Sequence, residues 1–121
     1  MSEAVLGPNR YGKAETRVVH VDRAGEMHTL RDLNVSIALT GDLTNTHLTG
    51  DNANVLPTDT QKNTVHVFAR DGIGSPEAFA LRLARHFPAT QPAITGSFIL
   101  EASNSTRTVC SFSLKLILRI P

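Results

Sequence analysis

The chain lacks several features that would point to a particular class of partner. It has no tryptophan, one tyrosine and five phenylalanines, so neither an aromatic cage nor a base-stacking platform is indicated. Cys110 is the only cysteine, which excludes an internal disulfide and a zinc knuckle. The formal net charge is +1, and the twelve Lys and Arg residues do not gather into a run. This balance argues against a nucleic-acid or membrane-surface partner.

Targeting signals are also missing from the sequence. Residues 1–8 do not combine a basic start with an apolar centre, as a secretory signal would. No apolar run approaches membrane-spanning length, and the final Arg-Ile-Pro is not a peroxisomal tripeptide. The five histidines are spread along the chain without a pair at ligand spacing, so we expect no metal site. A chain of 121 residues fits one domain, which we expect to be cytoplasmic.

The first half of the chain predicts an antiparallel hairpin. Residues 16–21 are rich in β-formers, and Gly25 lies in a plausible reversal. Apolar and polar residues then alternate along residues 32–39, which is the period of a strand with one buried face. The apolar members are Leu33, Val35, Ile37 and Leu39. Gly41 ends this second strand.

Two helical patterns follow in the second half. Residues 61–70 are ambiguous by periodicity, because their apolar positions fit a helical face but also alternate. Ser75 and Pro76 then read as an N-cap and a first-turn proline. The apolar face of residues 79–87 predicts a helix, which we expect Pro88 to stop.

The end of the chain completes a mixed pattern. Residues 94–102 fit a strand, residues 103–105 a turn, and residues 112–120 alternate strongly, as in a further strand. The element order is therefore strand, strand, helix, helix, strand, strand. Because the helices are grouped in the middle, we predict an α+β fold in which an antiparallel β-sheet carries two helices on one face.

A long polar stretch, residues 50–64, separates the strands from the helices. Pro57 fixes its own φ and favours an extended residue before it, so Thr58 and Asp59 stand where a helix could begin. Two interpretations remain open. The backbone N–H groups at this start could hold an anion or an acidic ring, or Thr58 or Asp59 could simply be an N-cap.

Three stretches together resemble the N-terminal half of the urate oxidase (uricase) family. They are Tyr11-Gly12-Lys13-Ala14-Glu15, then residues 48–52 running on to Thr58-Asp59-Thr60-Gln61-Lys62-Asn63-Thr64, then residues 79–87 ending in Arg85-His86-Phe87. The resemblance covers about residues 7–87. It implies one ββααββ unit of the tunnelling fold over residues 1–121, with a divergent C-terminal segment at 88–121, and it implies a helix at 61–70.

The same resemblance implies an oxidoreductase of purine catabolism. The family oxidises urate with O2 to 5-hydroxyisourate and hydrogen peroxide, without a metal or an organic cofactor. Lys13 matches the lysine of the proton relay, and Thr58 matches the threonine that passes the proton and touches urate. Asp59 matches the residue whose backbone N–H meets a urate carbonyl. A partly desolvated lysine beside a hydroxyl suits this proton abstraction.

The sequence also departs from the family. Uricases carry two tandem units, and the second supplies a stacking phenylalanine, a clamping arginine and glutamine, and a relay histidine. None of these can be located here. The family pattern implies a homotetramer with sites at subunit interfaces, to which this chain, read as truncated, would bring the Lys-Thr-Asp side. Two alternatives stay open: a non-catalytic module that binds a purine or joins full-length subunits, and a single-unit enzyme acting on pterin-like substrates.

Overall fold

Four strands form one antiparallel sheet in the computed structural model, which describes residues 4–23 and 25–103 and, by backbone alone, 107–113. The strands lie side by side in chain order: β1 (Tyr11–Asp22), β2 (Thr29–Gly41), β3 (Ile94–Ala102) and β4 (Arg107–Ser113). Between β2 and β3 the chain forms α1 (Thr44–Thr49), α2 (Thr58–Arg70) and α3 (Pro76–Thr90). The predicted α+β fold with an antiparallel sheet is confirmed, and the short helix α1 is an addition to it.

Strand β2 supplies the centre of the hydrophobic core. Its alternating apolar residues are all at most 4% exposed, while the residues between them are half-buried. Helix α2 packs on β1 and helix α3 on β3 and β4, so both helices cover the same face of the sheet. Their contributions to the core include Val65 from α2 and Phe79, Leu83 and Phe87 from α3. Burial of these side chains, at about 1.5–3 kcal/mol each, drives the helices onto that face.

Helix α3 begins as predicted but does not end as predicted. The Ser75 hydroxyl accepts a hydrogen bond from the Ala78 N–H, and Pro76 occupies the first turn. We expected Pro88 to stop the helix, and this was wrong, because α3 runs on to Thr90 with Pro88 buried inside it. A proline cannot donate to the carbonyl four residues earlier, here that of Ala84. The hydroxyl of Ser97 on β3 donates to this carbonyl instead, so the helix continues without an orphaned acceptor.

Helix α2 resolves the ambiguous segment and shortens the polar loop. The helix implied over residues 61–70 is confirmed and starts earlier, at Thr58. The N-cap interpretation of Thr58 or Asp59 was wrong: Pro57 holds the cap position with φ −55° and ψ 143°, and no side chain caps the helix. Before this loop the chain forms the short helix α1, with Gly50 as its C-cap. The φ of 76° at Gly50 favours glycine.

The described residues include only part of the C-terminal segment for which we predict a strand, a turn and a further strand. The strand predicted at residues 94–102 is confirmed as β3, and β4 begins at Arg107, earlier than the strand predicted over 112–120. Residues 104–106 and 114–121, which include most of the predicted turn and most of that last strand, lie outside the described residues. Each helix among the described residues is too short or too polar to span a lipid bilayer.

Glu101 is a buried acid on the helix-covered face of β3. It pairs with Val35 of β2, is 1% exposed, and neither carboxyl oxygen has a hydrogen-bond partner among the described residues. Burial, and then the charge of Glu77, raise the pKa of Glu101 to about 8 from its ordinary 4.5. Between these two values the folded state keeps a proton that the unfolded state has lost. The free energy of unfolding therefore falls as the pH rises through this window.

Replacing Glu101 by Gln should remove this loss of stability, because the amide has no proton to lose. We expect Glu101→Gln to be more stable than the parent at pH 9, by on the order of a few kcal/mol, and the difference to shrink towards pH 4. Urea unfolding between pH 4 and 9 measures it, with the exposed Glu26→Gln as the matched control. Parallel stability curves for parent and Glu101→Gln would contradict the buried, protonated state.

Candidate functional site

Lys13 lies on the helix-covered face of the edge strand β1. It pairs directly with Ile37 of β2, and residues directly opposite each other in an antiparallel ladder project from the same face. Ile37 is 4% exposed and faces the helices. Lys13 itself is half-buried. The side chain of Lys13 therefore starts from the side of the sheet where the helices pack.

Backbone irregularities flank Lys13 on both sides. A Cβ added to Gly12 would come within 1.7 Å of the Ile37 carbonyl oxygen, so β1 approaches β2 more closely here than a side chain allows. After Lys13 the register shifts, and Glu15 takes a φ of 57° while its N–H donates to the Ser36 hydroxyl. Such bulges bend a strand and re-aim side chains, and they are over-represented beside active sites. The orientation of Lys13 is thus set by its neighbours.

Tyr11, two residues before Lys13, connects β1 to the loop that precedes α2. Its hydroxyl accepts a hydrogen bond from the Leu56 N–H at 2.7 Å and donates to the Leu56 carbonyl at 3.0 Å. The same carbonyl also accepts from the side-chain amide of Gln61, which is fully buried. Burial raises the pKa of the Tyr11 hydroxyl, while the hydrogen bond with Leu56 acts the other way. The ring packs against the hydrophobic core.

Thr58 and Asp59 are the first two residues of α2, and both are exposed. The first intrahelical hydrogen bond of α2 runs from the Gln61 N–H to the Pro57 carbonyl. The N–H groups of Thr58, Asp59 and Thr60 therefore have no intrahelical acceptor. Together with the positive end of the helix dipole, they can bind a carbonyl or an anion.

The structure joins the two segments that hold the predicted site residues, at one edge of the sheet. Lys13 lies two residues after Tyr11, Thr58 lies two residues after Leu56, and the Tyr11–Leu56 pair joins the two segments. Helix α2 also packs against β1. An amine, a hydroxyl and a set of unpaired amides thus share one side of the sheet, a combination suited to moving a proton from a bound acidic ring.

Sequence reasoning missed the residues that build this edge. Tyr11 and Gly12 belong to the Tyr-Gly-Lys motif and Gln61 to the Thr-Asp-Thr-Gln run, so the motifs contained the signal, but only Lys13, Thr58 and Asp59 received roles. The buried state of Gln61 was not visible either, because a glutamine in a polar run is ordinarily exposed.

A concavity lies between α2 and α3. It has a volume of about 480 Å³ and is lined by Phe68, Asp71, Arg82, Arg85, His86 and Ala89. Arg82 and Arg85 are exposed, and Arg82 donates to the Gly72 carbonyl. Burial lowers the pKa of His86, whose ring meets Phe68 edge to face. The hydrogen bond to the Gly72 carbonyl, and the position of the guanidinium over the Phe79 ring, account for the placement of Arg82 without a ligand.

The order of elements and their one-sided packing make this chain a ββααββ unit of the tunnelling fold. Solved structures agree. The uricase of Arthrobacter globiformis superposes with a TM-score of 0.77 at 38% identity, over 91% of this chain and 48% of that chain. A uricase from Bacillus fastidious, at 18% identity, shares the fold with a TM-score of 0.66 over 89% of this chain and 42% of that one.

The chain belongs to the uricase family, whose model matches residues 9–109. The uricase of Arthrobacter globiformis is 52% identical over 95 residues, which is 78% of this chain and 32% of the relative. The uricase of Dictyostelium discoideum is 38% identical over 109 residues, covering 88% of this chain and 38% of the relative. The chain thus spans about a third of the length of these curated relatives and about half of the solved uricase chains.

Replacing Gly12 by Ala tests the close approach of β1 to β2 beside Lys13. The added Cβ meets backbone atoms rather than a flexible side chain, so the strands must separate, and we expect a destabilisation of about 1–3 kcal/mol. Gly7→Ala is the matched control, because a Cβ at Gly7 meets no atom within 4 Å. Urea unfolding of both variants measures the difference, and equal stabilities would show that β1 does not approach β2 in this way.

Proposed function

We propose that this chain provides the Lys-Thr-Asp side of a urate oxidase site. The complete site oxidises urate with O2 and water to 5-hydroxyisourate and hydrogen peroxide. This reaction belongs to purine catabolism and uses neither a metal nor an organic cofactor. The observation that carries the proposal is the Tyr11–Leu56 connection, which brings the edge strand of Lys13 to the start of the helix that opens with Thr58. Membership of the uricase family and the similarity to named uricases support it.

Each residue has a role that its position allows. The amine of Lys13, a half-buried residue, accepts the proton that urate must lose before it can give an electron to O2. The hydroxyl of Thr58 can accept and donate at once, so it passes that proton on. The unpaired N–H of Asp59 donates to a urate carbonyl and stabilises the negative charge that spreads over the ring. The three roles need only the amine, the hydroxyl and the amide.

The proposed site also needs a further protein surface to enclose the substrate. Thr58 and Asp59 are exposed at the start of α2, and β1 is the edge strand of the sheet, so this side of the site is open. Our proposal is that residues 1–121 form one unit, divergent from about residue 88, and that copies assemble as a homotetramer whose sites lie at subunit interfaces. The half-length match to solved uricase chains supports a requirement for a second unit, supplied by another copy, to complete each site.

The same half-length match favours a second candidate. The chain could act as a non-catalytic module that binds a purine, or that assembles with full-length subunits, because it holds one tunnelling-fold unit where the solved uricases extend over about twice that length. This candidate keeps urate binding at the amides of α2 and predicts no turnover by the purified chain alone.

Urate turnover by the purified chain tests the first proposal. We expect loss of urate absorbance with matching peroxide release in metal-free buffer, and a fall in kcat of about 10²–10⁴-fold in Lys13→Ala and in Thr58→Ala, because each change interrupts the proton relay. The double variant should lose little more, since the two groups act as a unit. Lys62→Ala, an exposed lysine on α2, is the matched control.

The outcomes separate the two candidates. Unchanged peroxide formation in the Lys13→Ala, Thr58→Ala double variant rejects the proposed relay. Urate binding by calorimetry without turnover, or co-assembly with a full-length uricase subunit, supports the non-catalytic module. Neither binding nor turnover, alone or in a mixed assembly, contradicts both.

A further inference from the structure

The hydroxyl of Tyr11 has no role yet in the proposed chemistry, although its contacts are unusually complete. It uses its donor and an acceptor lone pair on the two backbone groups of a single residue, Leu56, 45 positions away. A hydroxyl held at both its donor and acceptor positions has one orientation, and so does the backbone it holds. A phenylalanine at this position would keep the ring packing and lose both bonds.

The segment that Tyr11 holds is otherwise tied to a different part of the molecule. The side chains of Thr46 and Asn54 link the loop and the region around α1, through the Asp51 and Asp42 carbonyls. Among residues 11–16 of β1, no other side chain makes a described hydrogen bond to that loop or to α2. Near Lys13, the hydroxyl of Tyr11 is therefore the polar contact that sets where the loop meets the strand.

The position of this contact is what matters for the chemistry. Pro57 and the first turn of α2 follow Leu56 directly, and Pro57 holds its own φ at −55°. A displacement of Leu56 therefore moves the hydroxyl of Thr58 and the unpaired amides of α2 with it. Lys13 is held separately, by the close approach at Gly12 and the bulge that follows. The position of Thr58 relative to Lys13 therefore depends on the Tyr11–Leu56 contact.

We propose that Tyr11 is a positioning residue: its hydroxyl, by bridging the N–H and carbonyl of Leu56, holds the start of α2 in register with Lys13. Tyr11 does not touch the substrate. The proposal rests on the function proposed above and adds to it the group that aligns the two partners. A misplacement of about 1 Å between reacting groups can cost about 10²-fold in rate, so an aligning contact outside the site can have a large effect.

Tyr11→Phe tests the proposal with two readouts. We expect kcat for urate oxidation to fall by about 10–100-fold with a smaller change in KM, because alignment of the relay is lost while the ring stays packed. We also expect faster hydrogen exchange at the Leu56 amide, which donates to the Tyr11 hydroxyl, and at the Gln61 amide, which makes the first hydrogen bond of α2. Thr90→Val is the matched control, because it removes a hydroxyl-to-carbonyl bond within α3, to His86.

A double-mutant cycle distinguishes positioning from a general loss of stability. In the Lys13→Ala background, the hydroxyl of Tyr11 has no amine to align, so Tyr11→Phe should lower kcat less than twofold further. Equal effects of Tyr11→Phe in the two backgrounds would overturn the proposal, as would a kcat within twofold of the parent in Tyr11→Phe alone.

The exchange readout keeps the test independent of turnover. If the parent chain binds urate without oxidising it, the proposed function fails, and the same cycle is then measured on urate affinity, where the same non-additivity is expected. Unchanged exchange at the Leu56 and Gln61 amides in Tyr11→Phe overturns the positioning role whatever the activity. Faster exchange with additive losses shows that the hydroxyl supports the loop but aligns nothing.

Discussion

The alternation of apolar side chains along β2 is the constraint on which the rest of the structure depends. Leu33, Val35, Ile37 and Leu39 must be buried, they all project from one face, and β2 pairs on both sides, so the helices can cover only that face. Lys13 pairs with Ile37, so both side chains project from the face that the helices cover. Helix α2 packs on β1, and the Tyr11–Leu56 hydrogen bonds hold the segment before its first turn against the strand that carries Lys13.

The candidate site is built by backbone geometry more than by charge. Gly12 permits the close approach of two strands, and Glu15 adopts a left-handed conformation that residues other than glycine rarely take. Tyr11 forms hydrogen bonds with both the N–H and the carbonyl of Leu56. None of these residues needs to touch a substrate. Each determines where a reactive neighbour stands, which is how a site can be exact in position while its functional groups remain an ordinary amine, hydroxyl and amide.

The parts of the fold with strong periodicity could be predicted, and the parts decided by distant contacts could not. The hairpin and the apolar face of α3 follow from periods of two and 3.6 residues. A proline at position 88 predicts a helix end, yet the hydroxyl of Ser97 from another strand satisfies the carbonyl that the proline leaves unpaired. Similarly, Thr58 was considered as an N-cap because its side chain suits one, whereas the extended backbone at Pro57 already forms the boundary. Residues 61–70 were ambiguous until the motif resemblance, and then the structure, made them a helix.

The sequence by itself determined the class of fold, the family and three of the residues expected at the site, because periodicity and motif spacing are local properties of the chain. Only the tertiary structure decided that Lys13 faces the helices, that α3 continues through Pro88, and that Tyr11 joins β1 to Leu56. These facts depend on strand register and on hydrogen bonds between residues far apart in sequence. Such contacts leave no repeating pattern in the chain, so they emerge only when the sheet and helices have packed.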